Sequence, residues 1–348
     1  LELNTSSYKV LDFNGEGCFG KVAKCRNLIT KELVAVKIHK ETEEGAVEWE
    51  VEMLETVGAL DPDKSNIVKF LDHFTWNASS CLAFEMLDIS LWDLLWKRQE
   101  PLTLNEIRPI TQQLLVAFEA LKRIGIMHTD LKPDNIMLVN HSQQPFKIKV
   151  IDFGLALPSS EVEVGTEMQA PSFRAPEVTL GLPLSEAVDM WAVGCVLGFL
   201  YFATNLFPGV CPYNRIKSMV HLVVPYGYFD SVENLEDAIM TYPPKTDDVE
   251  DKDRREFFDL LSCSLKHNFV TMAHLRDNLA ASSYTEDALQ LMSVSLLEKS
   301  EEPGDDKIHE DNSHPAVITD VHDDPSWHYG NWQLPLPSLS PLKKKNTK

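Results

Sequence analysis

The chain has 348 residues, 44% of them hydrophobic, and a formal net charge of -21. That apolar content builds a sizeable core and excludes disorder of the whole chain, while the length suits one two-lobed enzyme or two ordinary domains. The acidic balance argues against direct nucleic-acid binding, which needs a basic surface to displace phosphate counterions, and favours protein partners, basic ones among them. Six scattered cysteines form no Cys-x-x-Cys pair, so neither a zinc site nor a disulfide framework is predicted and a reducing compartment is expected. The longest apolar run, residues 190–203, is too short to cross a bilayer; no membrane span and no signal peptide are expected. Opening on Leu1 rather than Met, the chain reads as a piece of something longer.

Alternation with two turns over residues 8–38 predicts three antiparallel strands. A helix is predicted from about residue 45 to 57, with Ala46, Val47, Met53, Leu54 and Val57 on its buried stripe. Glu50 falls on that same stripe, and an inward carboxylate needs a partner. Strand-like stretches at 67–74 and 81–86 complete a small sheet-rich lobe. Helical periodicity follows over 91–96 and 104–124, then a strand over 147–151 and a central buried helix over 187–202. Residues 284–299 have helical spacing, and the acidic, then Pro-rich remainder reads as a solvated tail. The predicted class is α+β and bilobal: a small antiparallel sheet with one helix over 1–87, a mainly helical part over 88–275, and a largely flexible extension over 276–348.

Four clusters carry chemistry. Gly15-Glu16-Gly17-Cys18-Phe19-Gly20-Lys21-Val22 fits G-x-G-x-x-G-x-V between two strands; its glycines let backbone approach the phosphates of ATP, and Val22 would cover the adenine. A glycine turn in any hairpin is the plain reading of that run alone, and its strand-turn-strand setting disfavours a dinucleotide fold. In Val34-Ala35-Val36-Lys37, Ala35 and Lys37 share a strand face, so the small residue makes room for adenine and the ammonium reaches the phosphates, with Glu50 as its counter-ion. The run His128-Thr129-Asp130-Leu131-Lys132-Pro133-Asp134-Asn135 is followed by Asp152-Phe153-Gly154. Asp130 would orient an acceptor hydroxyl, Lys132 would neutralise the travelling phosphoryl group, and Asn135 with Asp152 would hold Mg2+, which is what the loose transition state of phosphoryl transfer requires. His128 reads as a packing residue, and Trp92 and Trp96 as packing rather than recognition residues.

The strings CLAFEML, LKPDNIML, KVIDFG, RAPE, LGLP, DMW-x-x-GC, DRREF-x-DLL and FVTM-x-HL resemble the homeodomain-interacting protein kinases, in the dual-specificity Tyr-regulated branch of the CMGC group, over roughly residues 8–275. The resemblance implies a bilobal kinase fold and a Ser/Thr acceptor, suggested by Lys132 and Pro133. It implies Phe84 as gatekeeper before a hinge at 85–87, with Glu85 and Leu87 contacting the nucleotide, Glu177 anchoring the activation segment, and Asp189 bracing the catalytic loop. It also implies protein substrates among transcription regulators, nuclear or cytoplasmic residence, and a monomer.

The activation segment departs from that pattern. Glu167 stands where relatives carry a self-phosphorylated Tyr, a permanent single charge in place of nearly two, and Thr129 stands where many kinases have an Arg that reads the loop phosphate. Ala170 replaces the hydroxyl that bridges Asp130 and Lys132, and Pro171 replaces an Arg of the substrate pocket. The chain skips a stretch after residue 260 that holds the arginine expected opposite Glu177. Two readings stay open: a Ser/Thr protein kinase with a phosphate-independent loop, and a pseudokinase, an ATP-binding scaffold with little or no transfer. A pure interaction module without nucleotide is a third.

Overall fold

The computed structural model describes residues 8–17, 20–40, 45–207, 235–242 and 250–265, with single positions at 212, 215 and 219. Cys18 and Phe19, and the helix and tail expected beyond residue 275, lie outside the described residues.

Five strands form one antiparallel sheet in the order β1-β2-β3-β5-β4: β1 (Tyr8–Gly17), β2 (Gly20–Asn27), β3 (Leu33–His39), β4 (Phe70–Trp76) and β5 (Ser79–Glu85). Strict alternation divides β3 between two faces. Val34 and Val36 join Tyr8, Ala23, Cys25, Phe74, Cys81 and Ala83 in a small core on one face, which leaves Ala35 and Lys37 for the other. Burial there pushes the Cys25 and Cys81 thiols up to about 11. The β1–β2 turn closes on Gly20, which adopts φ +152°; a Cβ at that position would lie 2.0 Å from the Ile38 carbonyl oxygen, so only glycine fits.

Helix α1 (Ala46–Val57) buries Val47, Glu50, Met53, Leu54 and Val57. Ala46, expected on the buried stripe, is exposed at the start of the helix. The chain then turns helical as expected, with α2 (Leu91–Arg98) and α3 (Leu104–Arg123). Ser90 caps α2 by accepting from the Asp93 amide at 3.0 Å, and Glu106 reaches back to the Thr103 amide at 2.8 Å, which satisfies donors at the two helix starts. Two small ribbons follow, β6 (Ile126–Met127) with β9 (Leu157–Pro158), and β7 (Ile136–Asn140) with β8 (Gln144–Val150).

After α4 (Pro176–Leu180), helix α5 (Ala187–Phe202) runs through the centre with every residue from Val188 to Phe202 buried. It packs on α3 and on α7 (Glu250–Ser264); α6 (Leu235–Thr241) lies against α7. Close approach is possible because Gly194 and Gly198 lack side chains: a Cβ would come within 2.9 Å of Ser264 and 2.3 Å of Leu206. One large core joins the inner side of α1 to α2, α3 and α5. Among the described residues no helix is long and apolar enough to cross a membrane.

Candidate active site

The exposed side of β3 and the inner side of α1 meet at Lys37. Its ammonium donates to both Glu50 oxygens at 2.8 and 2.9 Å and to Asp152 Oδ1 at 3.0 Å. Glu50 is 3% exposed, and burial holds its carboxyl above the usual range against the pull of Lys37. Burial alone would also raise Asp152, but the charge and hydrogen bond of Lys37 outweigh it and leave the carboxyl below the ordinary carboxylate range. For Lys37 itself burial is overcome by the two carboxylates, and the pKa is raised. His39, also buried, places Nε2 3.4 Å from Glu50 Oε2; burial and the neighbouring Lys37 push its pKa down to about 4, so at neutral pH it brings no competing charge.

Strand pairing sets the rest of this face. Val22 lies opposite Lys37, Ala35 opposite Phe84, and Val34 opposite Glu85, so Val22, Ala35 and Lys37 share one side. Gly15 pairs with Val22 and Gly17 with Gly20 in the β1–β2 ribbon. At the end of β5, the Glu85 carboxylate accepts from Lys149 Nζ and from the Lys69 amide, both at 2.6 Å. Lys149 is 1% exposed and also reaches Asp63 at 2.8 Å. Leu87, two residues on, is buried. The end of β5 is thus held by a lysine that strand periodicity alone assigns to a mostly apolar strand.

The candidate catalytic loop, residues 128–135, is built on buried backbone contacts. Asp189, from α5, accepts the His128 and Thr129 amides at 2.8 and 2.9 Å. The His128 ring packs edge-on to Phe118 and Phe153, and its Nε2 is 2.9 Å from the Ile151 carbonyl, a packing role as expected. Asn135 donates from Nδ2 to the Asp130 carbonyl at 2.8 Å and to Asp130 Oδ2 at 3.1 Å. Lys132 Nζ reaches the same Oδ2 at 2.7 Å. No hydrogen bond among the described residues falls on Asp130 Oδ1. The Ile151 amide donates to the Asn135 carbonyl at 3.0 Å, which ties the turn bearing Asn135 to the residue before Asp152. Lys37, Glu50, Asp152, Asn135, Asp130 and Lys132 therefore form one linked chain of contacts.

The donor set suits a hard cation. Asn135 commits its amide nitrogen to Asp130, which leaves the carbonyl oxygen, and Asp152 is an ionised carboxylate; oxygen ligands of this kind are what Mg2+ takes alongside phosphate oxygens.

Two altered positions have clear surroundings. Arg174 bridges the activation segment, donating to Glu167 Oε1 at 2.7 Å and to the Gln169 carbonyl at 2.9 and 3.1 Å. Ala170 offers no hydroxyl, yet Lys132 contacts Asp130 directly. Glu177 is buried and is not without a partner, which corrects the expectation that the skipped stretch leaves it unpaired. Trp92 stacks on Phe199 at 5.3 Å, a packing role as expected, whereas Trp96 is 43% exposed.

Comparison with known proteins agrees with this geometry. Residues 8–273 match the protein kinase domain. The chain is similar to homeodomain-interacting protein kinase 1 of Mus musculus (35% identity, covering 83% of this chain and 29% of the relative), to the same kinase of Rattus norvegicus (44%, 61% and 18%), and to homeodomain-interacting protein kinase 4 of Homo sapiens (38%, 62% and 36%). It thus spans between about a fifth and a third of the length of these relatives. With the domain match covering well over half of the chain, and with the lysine, carboxylates and asparagine joined as described, this chain belongs to the protein kinase domain family.

Proposed function

We propose that this chain is a Ser/Thr protein kinase that transfers the γ-phosphate of ATP to hydroxyls of protein substrates. The observation that carries it is Lys37 held 2.8–3.0 Å from carboxylates on two separate elements, Glu50 of α1 and Asp152 beyond β8, an arrangement that aims one ammonium at the cleft. Ala35 and Val22 would flank the adenine, the backbone of Glu85 and Leu87 would read its edge, and Gly15, Gly17 and Gly20 would let the β1–β2 turn lie close over the phosphates. Mg2+, held by Asn135 and Asp152, would supply the charge that offsets the triphosphate.

Asp130 is the group that positions the acceptor. Lys132 and Asn135 occupy its Oδ2, which leaves Oδ1 to accept from a serine or threonine hydroxyl and take its proton as the new O–P bond forms and the bond to ADP breaks. Lys132, already beside Asp130, would neutralise charge on the moving phosphoryl group. The direct Lys132–Asp130 contact weakens the scaffold reading that Ala170 suggested, because the bridging hydroxyl is not needed to bring these two groups together.

The relatives are named for interaction with homeodomain proteins. Extended to this chain, the likeness gives transcription regulators as substrates and nuclear or cytoplasmic residence, and the charge of -21 suits basic protein partners rather than nucleic acid. A monomer divided near residue 87 into nucleotide-binding and substrate-binding parts completes the reading. The test is radiolabelled phosphate incorporation into a basic protein by wild type and Asp130→Asn. Loss on the order of 10²-fold is expected from removing the positioned base; incorporation that survives the substitution points to a contaminant, and silence in both with MgATP still raising the melting temperature points to the scaffold.

A further inference from the structure

Helix α1 must stay in place for Glu50 to meet Lys37; Val47, Met53, Leu54 and Val57 dock its inner side on the main core, but its N-terminal end, near Glu50, is weakly fixed. Its N-cap is Gly45 at φ 98°, with no side-chain cap. Its inward carboxylate is buried, and a buried ion pair recovers its desolvation cost only when geometry and further hydrogen bonds are favourable. His39 adds no such bond, since its Nε2 has none among the described residues. The residue before Glu50 supplies a second attachment. Trp49 donates from its indole nitrogen to the Ala156 carbonyl at 2.8 Å, and its ring is half-buried against the main core.

The acceptor is fixed from the other side. The Ala156 amide donates to the Phe153 carbonyl at 3.0 Å, and the Ser159 amide to the Gly125 carbonyl at 2.8 Å. Thr129 Oγ1 donates to the Leu155 carbonyl at 2.5 Å, and Met127 pairs with Leu157. The residues just after Asp152-Phe153-Gly154 are therefore stitched to the catalytic loop and its preceding strand, and Trp49 ties α1 to that stitched segment. None of these bonds uses a phosphate or the exposed Glu167. One helical step separates Trp49 from Glu50, so the two side chains diverge by about 100°: one reaches the Lys37–Asp152 cluster, the other the segment that carries Asp152 onward.

We propose that Trp49 is a positioning residue, a neutral latch between α1 and the start of the activation segment that keeps Glu50 on Lys37 without activation-segment phosphorylation. The proposal rests on the kinase reading for its effect on turnover but not for its effect on α1. Loss of the indole N–H removes one partly buried hydrogen bond from the α1-engaged state and shifts its population accordingly.

The test compares the full chain with Trp49→Phe, which keeps an aromatic ring and loses the donor, with Trp96→Phe as a control at a half-exposed site, and with Glu167→Gln. Hydrogen exchange is read at amides 47–57 of α1 and at 191–202 of α5, together with kcat and the protein-substrate KM. Trp49→Phe is expected to speed exchange in α1 by roughly five- to tenfold, the weight of one such bond, with α5 unchanged, and to lower kcat by no more than that factor, as far as the engaged population falls, with KM for the protein substrate held. Trp96→Phe and Glu167→Gln should leave α1 exchange at the wild-type rate. Wild-type exchange in α1 of Trp49→Phe overturns the latch, as does equal acceleration in α1 and α5, which would mark general loosening. If wild type transfers no phosphate, the kinase reading fails while the exchange comparison still decides the latch.

Discussion

Residues 128–135 rest on buried, directional contacts: two amides on Asp189, the His128 ring between Phe118 and Phe153, and Asn135 folded back on Asp130. Residues 160–167 of the neighbouring activation segment are largely exposed, and Glu167, 79% exposed, is joined to Arg174 at the surface. A buried acceptor taken from amides that cannot reach water leaves them unsatisfied, whereas an exposed ion pair exchanges one hydrated state for another. The part proposed to perform chemistry is thus held by contacts that are costly to break, and the part that would answer to regulation by contacts that are cheap to change. Gln169 marks the boundary. It is buried, donating to the Val188 carbonyl at 2.7 Å and accepting from the Ala175 amide at 2.9 Å, so the far end of the activation segment is anchored like the catalytic loop.

That contrast sets an order of effects. Asp189→Ala should be the most damaging to stability, by about 2–5 kcal/mol in urea unfolding, since two buried amides lose their acceptor at once; a loss under about 1 kcal/mol would mean the loop is held by something else. Gln169→Leu follows, at about 1–3 kcal/mol with Ala175 and Val188 left unpaired, and a neutral result would place the boundary elsewhere. Asp152→Asn probes pH. A carboxyl whose folded pKa lies below its unfolded value of 3.8 contributes stability that is fully present above that value and is lost as pH falls through the folded one. The stability gap between wild type and Asp152→Asn should accordingly be constant near neutrality and change only below about pH 4; a gap that moves between pH 6 and 8 would contradict the depressed carboxyl. Smallest is Glu167→Gln, at most about 1 kcal/mol and reduced further by salt, with a fall in phosphotransfer of about two- to threefold on the same scale. No fall at all would remove Glu167 from any role in ordering the segment.

Contiguous runs announced much of this. Gly15 to Val22, Lys37, and the stretch from His128 to Asn135 carry their spacing in the chain itself, and the inward Glu50 follows from helical period. Legibility fails where a side chain chooses a distant partner. The strand expected from residue 67 begins at Phe70, because residues 66–68 leave the sheet to bond with Val150: Val68 donates to its carbonyl at 3.0 Å and Asn66 accepts from its amide at 2.9 Å. Lys149 looks like a chance polar residue in an apolar strand until Glu85, 64 positions away, is brought to it. Trp49 reads as one more apolar residue of α1, and only the return of the chain at Ala156 gives its indole nitrogen an acceptor. Periodicity reports which face is buried; it does not report whom that face meets.

Helix α5 has no polar face: it is enclosed by α3, made before it on the ribosome, and by α7, made more than forty residues later. Leu206 can cover Gly198 early, but the gap that Gly194 leaves for Ser264 can be filled only once synthesis has passed residue 264. Until then a nascent chain displays an oily rod with half its sheath missing, the kind of surface that chaperones recognise and that drives clumping. Premature termination before Glu250 would therefore yield aggregate rather than a shorter folded chain.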